Sequence, residues 1–410
     1  MADRSGALRG TCLLLGALTL LPTPVLGQGE PVGPEFRVNT YTAGYQDEPA
    51  VGSDGSGNFV VVWTGEPAPP GYVIAQRFAT AGVPLGSEFL VSAYPGSQGQ
   101  VASDPSGNFV IVWAGSQDPG FGIFGQRYAS SGTTVGPAFR VNTYTTDLQM
   151  HPMVAVDPSG NFVVVWESLG QDGSDFGIFG QRFASSGAPM GGEFRVNTDT
   201  PGQQFGPRVA SDAAGNFVVV FYSNPADTIF GQRYAASGAP LGGDFPIATS
   251  SGPFRPAVAT DTSGTFVVVW TNHQDGSGTA IFGRRYTGSG APLGGEFRVN
   301  TFTTNDQDYS SVAVDDSGNF VVVWESNIED GQAGGIFGQR YASSGAPLGG
   351  EFRVNTFTTS EQRRPSAASD PGGHFVVVWA SNLQDGSSYG VFGQRYSAIV
   401  PVELIHFGLE

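Results

Sequence analysis

Apolar runs of the form FVVVW recur along the chain at a spacing of roughly 50–55 residues, each preceded by a short polar turn. Between them lie pieces in which apolar and polar positions alternate. In the sixth unit, SVAVDDSGNFVVVWESNIEDGQAGGIFGQRYASSGAPLGGEFRVNT, four such pieces stand out: SVAVD, NFVVVW, GIFGQRY and EFRVN. Each is rich in β-branched or aromatic residues and bounded by Gly, Pro, Ser, Asn or Asp, the pattern of strands. No unit shows a sustained helical period with caps, and 61 Gly and 28 Pro argue against long helices. The pattern predicts an all-β protein.

The connections fix the pairing. Asp-x-Ser-Gly-Asn is a tight-turn sequence because Gly and Asn accept positive φ, so the first two pieces form a hairpin, and ASSGAPLGG joins the last two. Each unit is then a four-stranded antiparallel meander whose second strand is apolar on both faces, as only a doubly covered sheet requires. Seven such sheets predict a seven-bladed β-propeller. The chain opens on EFRVNT (35–40), an isolated fourth strand, and its last unit stops after VFGQRYS (391–397), a third strand. The N-terminal strand is therefore expected to complete the last blade and remove an open edge. A linear solenoid would need capping repeats and would leave the matched loose ends unexplained.

Three residue types repeat once per unit. All six Trp, at 63, 113, 166, 270, 324 and 379, share one position, which Phe221 fills in the fourth unit. They are read as blade-to-blade packing rather than sugar platforms, since they share a strand face with core residues. The Arg of each QR pair and the turn Asp (54, 104, 157, 212, 261, 315, 370) are read as structural, because one catalytic centre would not need a charge in every blade.

Residues 1–27 carry Arg4 and Arg9 and then an apolar run interrupted by prolines, the pattern of a cleaved secretory signal. The expected organisation is signal 1–27, propeller 28–397 and a C-terminal tail 398–410. The only cysteine, Cys12, lies in that signal. With no lysine and a net charge of −17, the surface would repel nucleic acid and anionic membranes, and a monomer, secreted or at the cell surface, is expected.

At DPSGNFVVVWESLGQDGSDFGIFGQRFASSGAPMGGEFRVNT the chain resembles QDGS/FGQRY-type repeats of large exported bacterial proteins, including calcium-binding RTX-like and adhesin-like ones. The resemblance covers nearly all of the chain after the signal. It implies secretion and an extracellular or surface role, and it brings no shared catalytic residues. EPAPPGY in the first unit and SNPADT in the fourth depart from the QDGS loop.

In a meander the QDGS loop and the loop after FRVN share one end, and that end holds the longer, more variable loops, where repeat scaffolds carry function. It is the candidate binding face for a polysaccharide or an extracellular protein, with Asp118, Tyr144, Asp172, Asp275, Asp330 and Asp385 as candidate ligand residues. Asp172, Asp275 and Asp385 could offer hard oxygen ligands to calcium, although an Asp-Gly turn needs no metal. No other cofactor is expected. The four His are scattered, no G-x-S-x-G elbow stands out, and near-identical blades argue against an enzyme, with a glycosidase or lyase the remaining catalytic class. The competing role is a structural or adhesive module with calcium-stiffened loops.

Overall fold

The computed structural model of the chain describes residues 29–66, 71–116, 121–248, 252–273, 277–329, 331 and 333–398. Residues 1–28, where the signal was expected, the tail beyond Ala398, and Asp118, Asp275 and Asp330 lie outside them. Among the described residues, twenty-eight strands form seven four-stranded antiparallel sheets. Blades 1 to 6 are meanders over 46–90, 96–140, 149–195, 204–246, 254–298 and 307–353. Blade 7 draws three strands from 362–396, and its fourth is Phe36–Arg37, with Phe36 opposite Gly393 and Arg37 opposite Phe392. The first strand of each blade borders the first strand of the next, blade 7 beside blade 1, so these inner strands ring a common axis.

The second strand explains why the blades assemble. Phe162–Leu169 is buried from Phe162 to Ser168 because its two faces meet different neighbours. Val164 and Trp166 pack with Val110, Val112 and Ala114 of blade 2. Val163 and Val165 pack with Val219 and Phe221 of blade 4. Seven clusters of this kind each join two adjacent blades, including Val61 and Trp63 of blade 1 with Val376, Val378 and Val391 of blade 7. All six Trp are at most 1% exposed, so none can offer a face to a sugar.

The repeated charges are structural as well. Arg127 Nη1 donates to Ser185 O of the next blade at 2.7 Å, and Arg233 Nη1 to Gly288 O at 2.9 Å. The same contact crosses the closure, from Arg395 Nη1 to Thr80 O at 2.7 Å and from Arg340 to Gly29 O. Asp157 caps its own turn: Oδ1 accepts the N–H groups of Ser159 and Asn161, each at 2.9 Å, while Gly160 takes φ +79°. The Gly of the FGQR motif permits a close approach, since a Cβ on Gly180 would stand 2.7 Å from the ring of Phe194 on the outer strand.

The inner strand departs from the sequence expectation. Read as SVAVD, it spans Gln307–Val314 in blade 6, and its added N-terminal half is bulged.

Candidate functional site

In blade 3, Met150 pairs with Glu167 and Met153 with Val165, so His151 and Pro152 together face one residue, Trp166. This β-bulge recurs in every blade at the same register. The second bulged residue is Pro49, Pro152, Pro207, Pro256 or Pro365, with Gly99 and Ser310 in the other two blades. Proline suits a place where the ladder has lost its hydrogen bond. The first bulged residue always has positive φ: Glu48 56°, Gln98 57°, His151 51°, Gly206 64°, Arg255 50°, Tyr309 50° and Arg364 52°. Six of these seven are not glycine, and each such conformation costs about 1 kcal/mol or more. One strained backbone feature thus carries five polar residue types and a glycine around the axis.

Contacts between blades hold this ring. Glu48 Oε2 accepts the N–H of Gln98 at 3.2 Å, and Gln98 Oε1 accepts that of His151 at 2.8 Å. Glu167, directly after Trp166, accepts the N–H of Gly206 at 2.7 Å through Oε1 and contacts His151 Nδ1 at 2.9 Å through Oε2. Glu325, directly after Trp324, accepts the N–H of Arg364 at 3.4 Å.

Blades 7 and 1 share a charged aromatic cluster. Asp47, fully buried, accepts from Arg363, from the Tyr45 hydroxyl at 2.7 Å and lies 3.3 Å from Arg364 Nη1. Arg364 also pairs with Glu48 at 3.0 Å. The Arg363 guanidinium lies 3.7 Å from the ring centre of Tyr389, whose hydroxyl donates to Glu361. Tyr45 and Tyr389 meet edge to face at 6.3 Å. Across blades 5 and 6, Arg255 pairs with Asp308, donates to the Tyr309 hydroxyl at 3.0 Å and lies 3.9 Å from that ring.

Burial pushes the Glu325 carboxyl up to about 7; the Arg364 N–H opposes that rise and Glu361 adds to it. Burial likewise raises the Tyr389 phenol to about 12, with its bond to Glu361 in the same direction. The arrangement offers planar hydrogen-bonding groups of both signs, aromatic faces and one carboxyl that titrates near neutrality.

The bulge lies in the half of the inner strand that follows the FRVN loop, so the ring belongs to the expected face. The sequence-derived candidates on that face play smaller parts. Asp172 Oδ1 accepts the N–H of Ser174 at 3.1 Å and its Oδ2 accepts from Asn197 Nδ2 at 3.1 Å. Asp385 makes the same pair of contacts, with Ser387 N at 3.2 Å and Asn39 Nδ2 at 3.4 Å. Both carboxylates are held as turn caps in non-adjacent blades. Tyr144 is half-buried in the loop leading to blade 3, and its carbonyl accepts from Asn142 Nδ2 at 2.6 Å. Among the described residues no three His, Cys, Asp or Glu side chains group closely enough to share a metal ion.

Neither a protein-family model nor a curated protein matches the chain. Solved structures do match in fold. A protein of unknown function from Dyadobacter fermentans aligns over 90% of this chain and 99% of its own, with TM-score 0.53 and 10% identity. The polysaccharide lyase Uly1 aligns over 89% and 90%, with TM-score 0.52 and 8% identity. Hydrazine synthase of Kuenenia stuttgartiensis aligns over 83% and 94%, with TM-score 0.53 and 10% identity. These likenesses are of fold alone. They join unlike chemistries on one scaffold, so function has to be argued from the site.

Proposed function

We propose that the protein binds a saccharide at the axial mouth of its loop face, as a secreted or cell-surface protein. The observation that carries this reading is the ring of seven equivalent bulges bearing Glu48, Gln98, His151, Gly206, Arg255, Tyr309 and Arg364. A framework role repeats one residue type, as the blade Trp and the Arg of the QR pair do. A ligand without seven-fold symmetry needs unlike groups around it. Carboxylates and guanidinium groups suit the paired hydroxyls of a sugar ring, and tyrosine faces suit its C–H surface. The likeness in fold to a polysaccharide lyase is compatible with such a ligand. Location outside the cell rests on the signal pattern of residues 1–27 and on the resemblance to exported repeats.

The test is a glycan array followed by titration calorimetry on the glycans retained. Arg255→Ala and Tyr389→Ala should each weaken binding at least tenfold, whereas Asp172→Ala should leave affinity unchanged and lower only stability. Binding lost on Asp172→Ala but kept by the axial variants would move the site to the QDGS loop. Absence of binding to any glycan would refute the reading.

One observation favours a catalytic extension. Glu325 accepts the Arg364 N–H at 3.4 Å within the ring, and burial pushes its carboxyl up to about 7, the range suited to general acid or base work at neutral pH. Release of new chain ends from a bound glycan, abolished in Glu325→Gln with binding retained, would establish it.

A further inference from the structure

Arg208 is the first residue after the bulge of blade 4, on the inner strand Gln204–Ser211. At the same register the other blades carry Ala50, Gln100, Met153, Ala257, Ser311 and Ser366, none of them charged. The blade framework therefore has no use for a cation here. Desolvation by the surrounding protein acts on this guanidinium, while part of its surface stays accessible. These two facts fit together if the guanidinium lies along the wall of the axial opening.

Its partners are too few for its charge. Nη1 donates to Pro207 O at 2.9 Å, and among the described residues no carboxylate lies within ion-pair distance. Glu167 acts on it from farther away, but both Glu167 oxygens are already engaged, one by Gly206 N and the other by His151. The other inner-strand arginines among the described residues are paired: Arg255 with Asp308, Arg363 with Asp47, and Arg364 with Asp47 and Glu48. Burial pushes the Arg208 guanidinium down to about 10, Glu167 opposes this, and the positive charge of Arg255 adds to it. A partly desolvated cation with spare donors and no carboxylate in reach is stabilised when an anion arrives.

We infer that the saccharide bound at the axial mouth is acidic, with its carboxylate or sulfate seated on the spare donors of Arg208. This assignment rests on the saccharide reading above and names the chemical class of that ligand. A planar guanidinium meets either group through two parallel N–H···O bonds, so both sources share one chemistry.

The experiment uses the full chain on a glycan array of matched pairs. Uronate-containing glycans are set beside their methyl esters, and sulfated glycans beside their unsulfated parents. Acidic members should bind at least tenfold more tightly than their neutral counterparts, and whether the uronate or the sulfate arm responds identifies the anion. Arg208→Gln should abolish that preference while unfolding at a higher temperature than the parent, because a partly desolvated charge with no ion-pair partner has been removed. Arg208→Lys should restore part of the preference. A merely structural Arg208 would give the opposite stability change, and a less stable Arg208→Gln that keeps the preference would overturn the inference. Equal binding of acidic and neutral members, unaltered by Arg208→Gln, would also overturn it while leaving the saccharide reading intact. No binding to any member would instead fail the saccharide reading, and the charge assignment with it.

Discussion

Glu167 and Glu325 occupy one repeat position, directly after the blade tryptophan, and both accept the N–H of the next blade's first bulged residue. Their surroundings differ. Glu167 has His151 at 2.9 Å, whereas Glu325 is raised to about 7 by burial, with Glu361 adding to the shift. The sign of the consequence follows from proton binding. Between the ordinary carboxyl range and pH 7 the folded state holds a proton that the unfolded chain has lost, so this group favours folding below about pH 4.5 and that contribution fades as pH rises through 7. Glu325→Gln should therefore match the parent in denaturant unfolding at pH 4.5 and exceed it by on the order of 2 kcal/mol at pH 8. An equal difference at both pH values would mean that the carboxyl is not the cause. At the blade tryptophans the logic is packing alone. Among the described residues none of the six indole N–H groups has a hydrogen-bond partner, and Phe221 fills the seventh place at 1% exposure without one to offer.

At the level of the element, two kinds of strand end matter. Phe36–Arg37 is short, yet the segment around it is tied in by many groups. Glu35 accepts from Thr356 N at 2.7 Å, Asn39 Oδ1 accepts from Val391 N at 2.7 Å, and Ser397 N donates to Glu30 O at 2.9 Å. Deleting residues 29–40 should expose the edge of Tyr389–Tyr396, lower the melting temperature by several degrees or more and promote association visible by light scattering. An unchanged monomer of equal stability would contradict this role. That closure was legible in the sequence because EFRVN stands alone at one end and VFGQRY lacks its partner at the other. The bulge ring was not. QDEP, QMHP, QFGP and QRRP interrupt the apolar alternation, and a charged or glycine residue followed by proline reads as loop. The available signal was the recurring proline at a fixed distance before the second strand, preceded by Glu, His, Gly or Arg rather than by one repeated residue type. The Asp of the QDGS loop repeats at Asp172 and Asp385 together with the turn amide and the Asn side chain that it accepts from.

For the whole molecule, each hydrophobic cluster belongs to two blades and the seventh joins the last to the first. No blade has a core of its own. Although the chain is a repeat, it should unfold in one calorimetric transition whose van't Hoff and measured enthalpies agree; resolved steps would show that blades melt independently. The composite blade also sets a timetable. Val391 and Asn39, joined by a hydrogen bond, are 352 positions apart. At a synthesis rate of roughly 5–20 residues per second, the first strand waits about 20–70 s before its partner exists. For most of that wait the ring is an open arc, and the axial mouth has no Arg363 or Arg364 beside Asp47 and Glu48. On the proposed saccharide reading a nascent or truncated chain is silent: the ring of bulges becomes complete only in the step that joins blade 7 to blade 1.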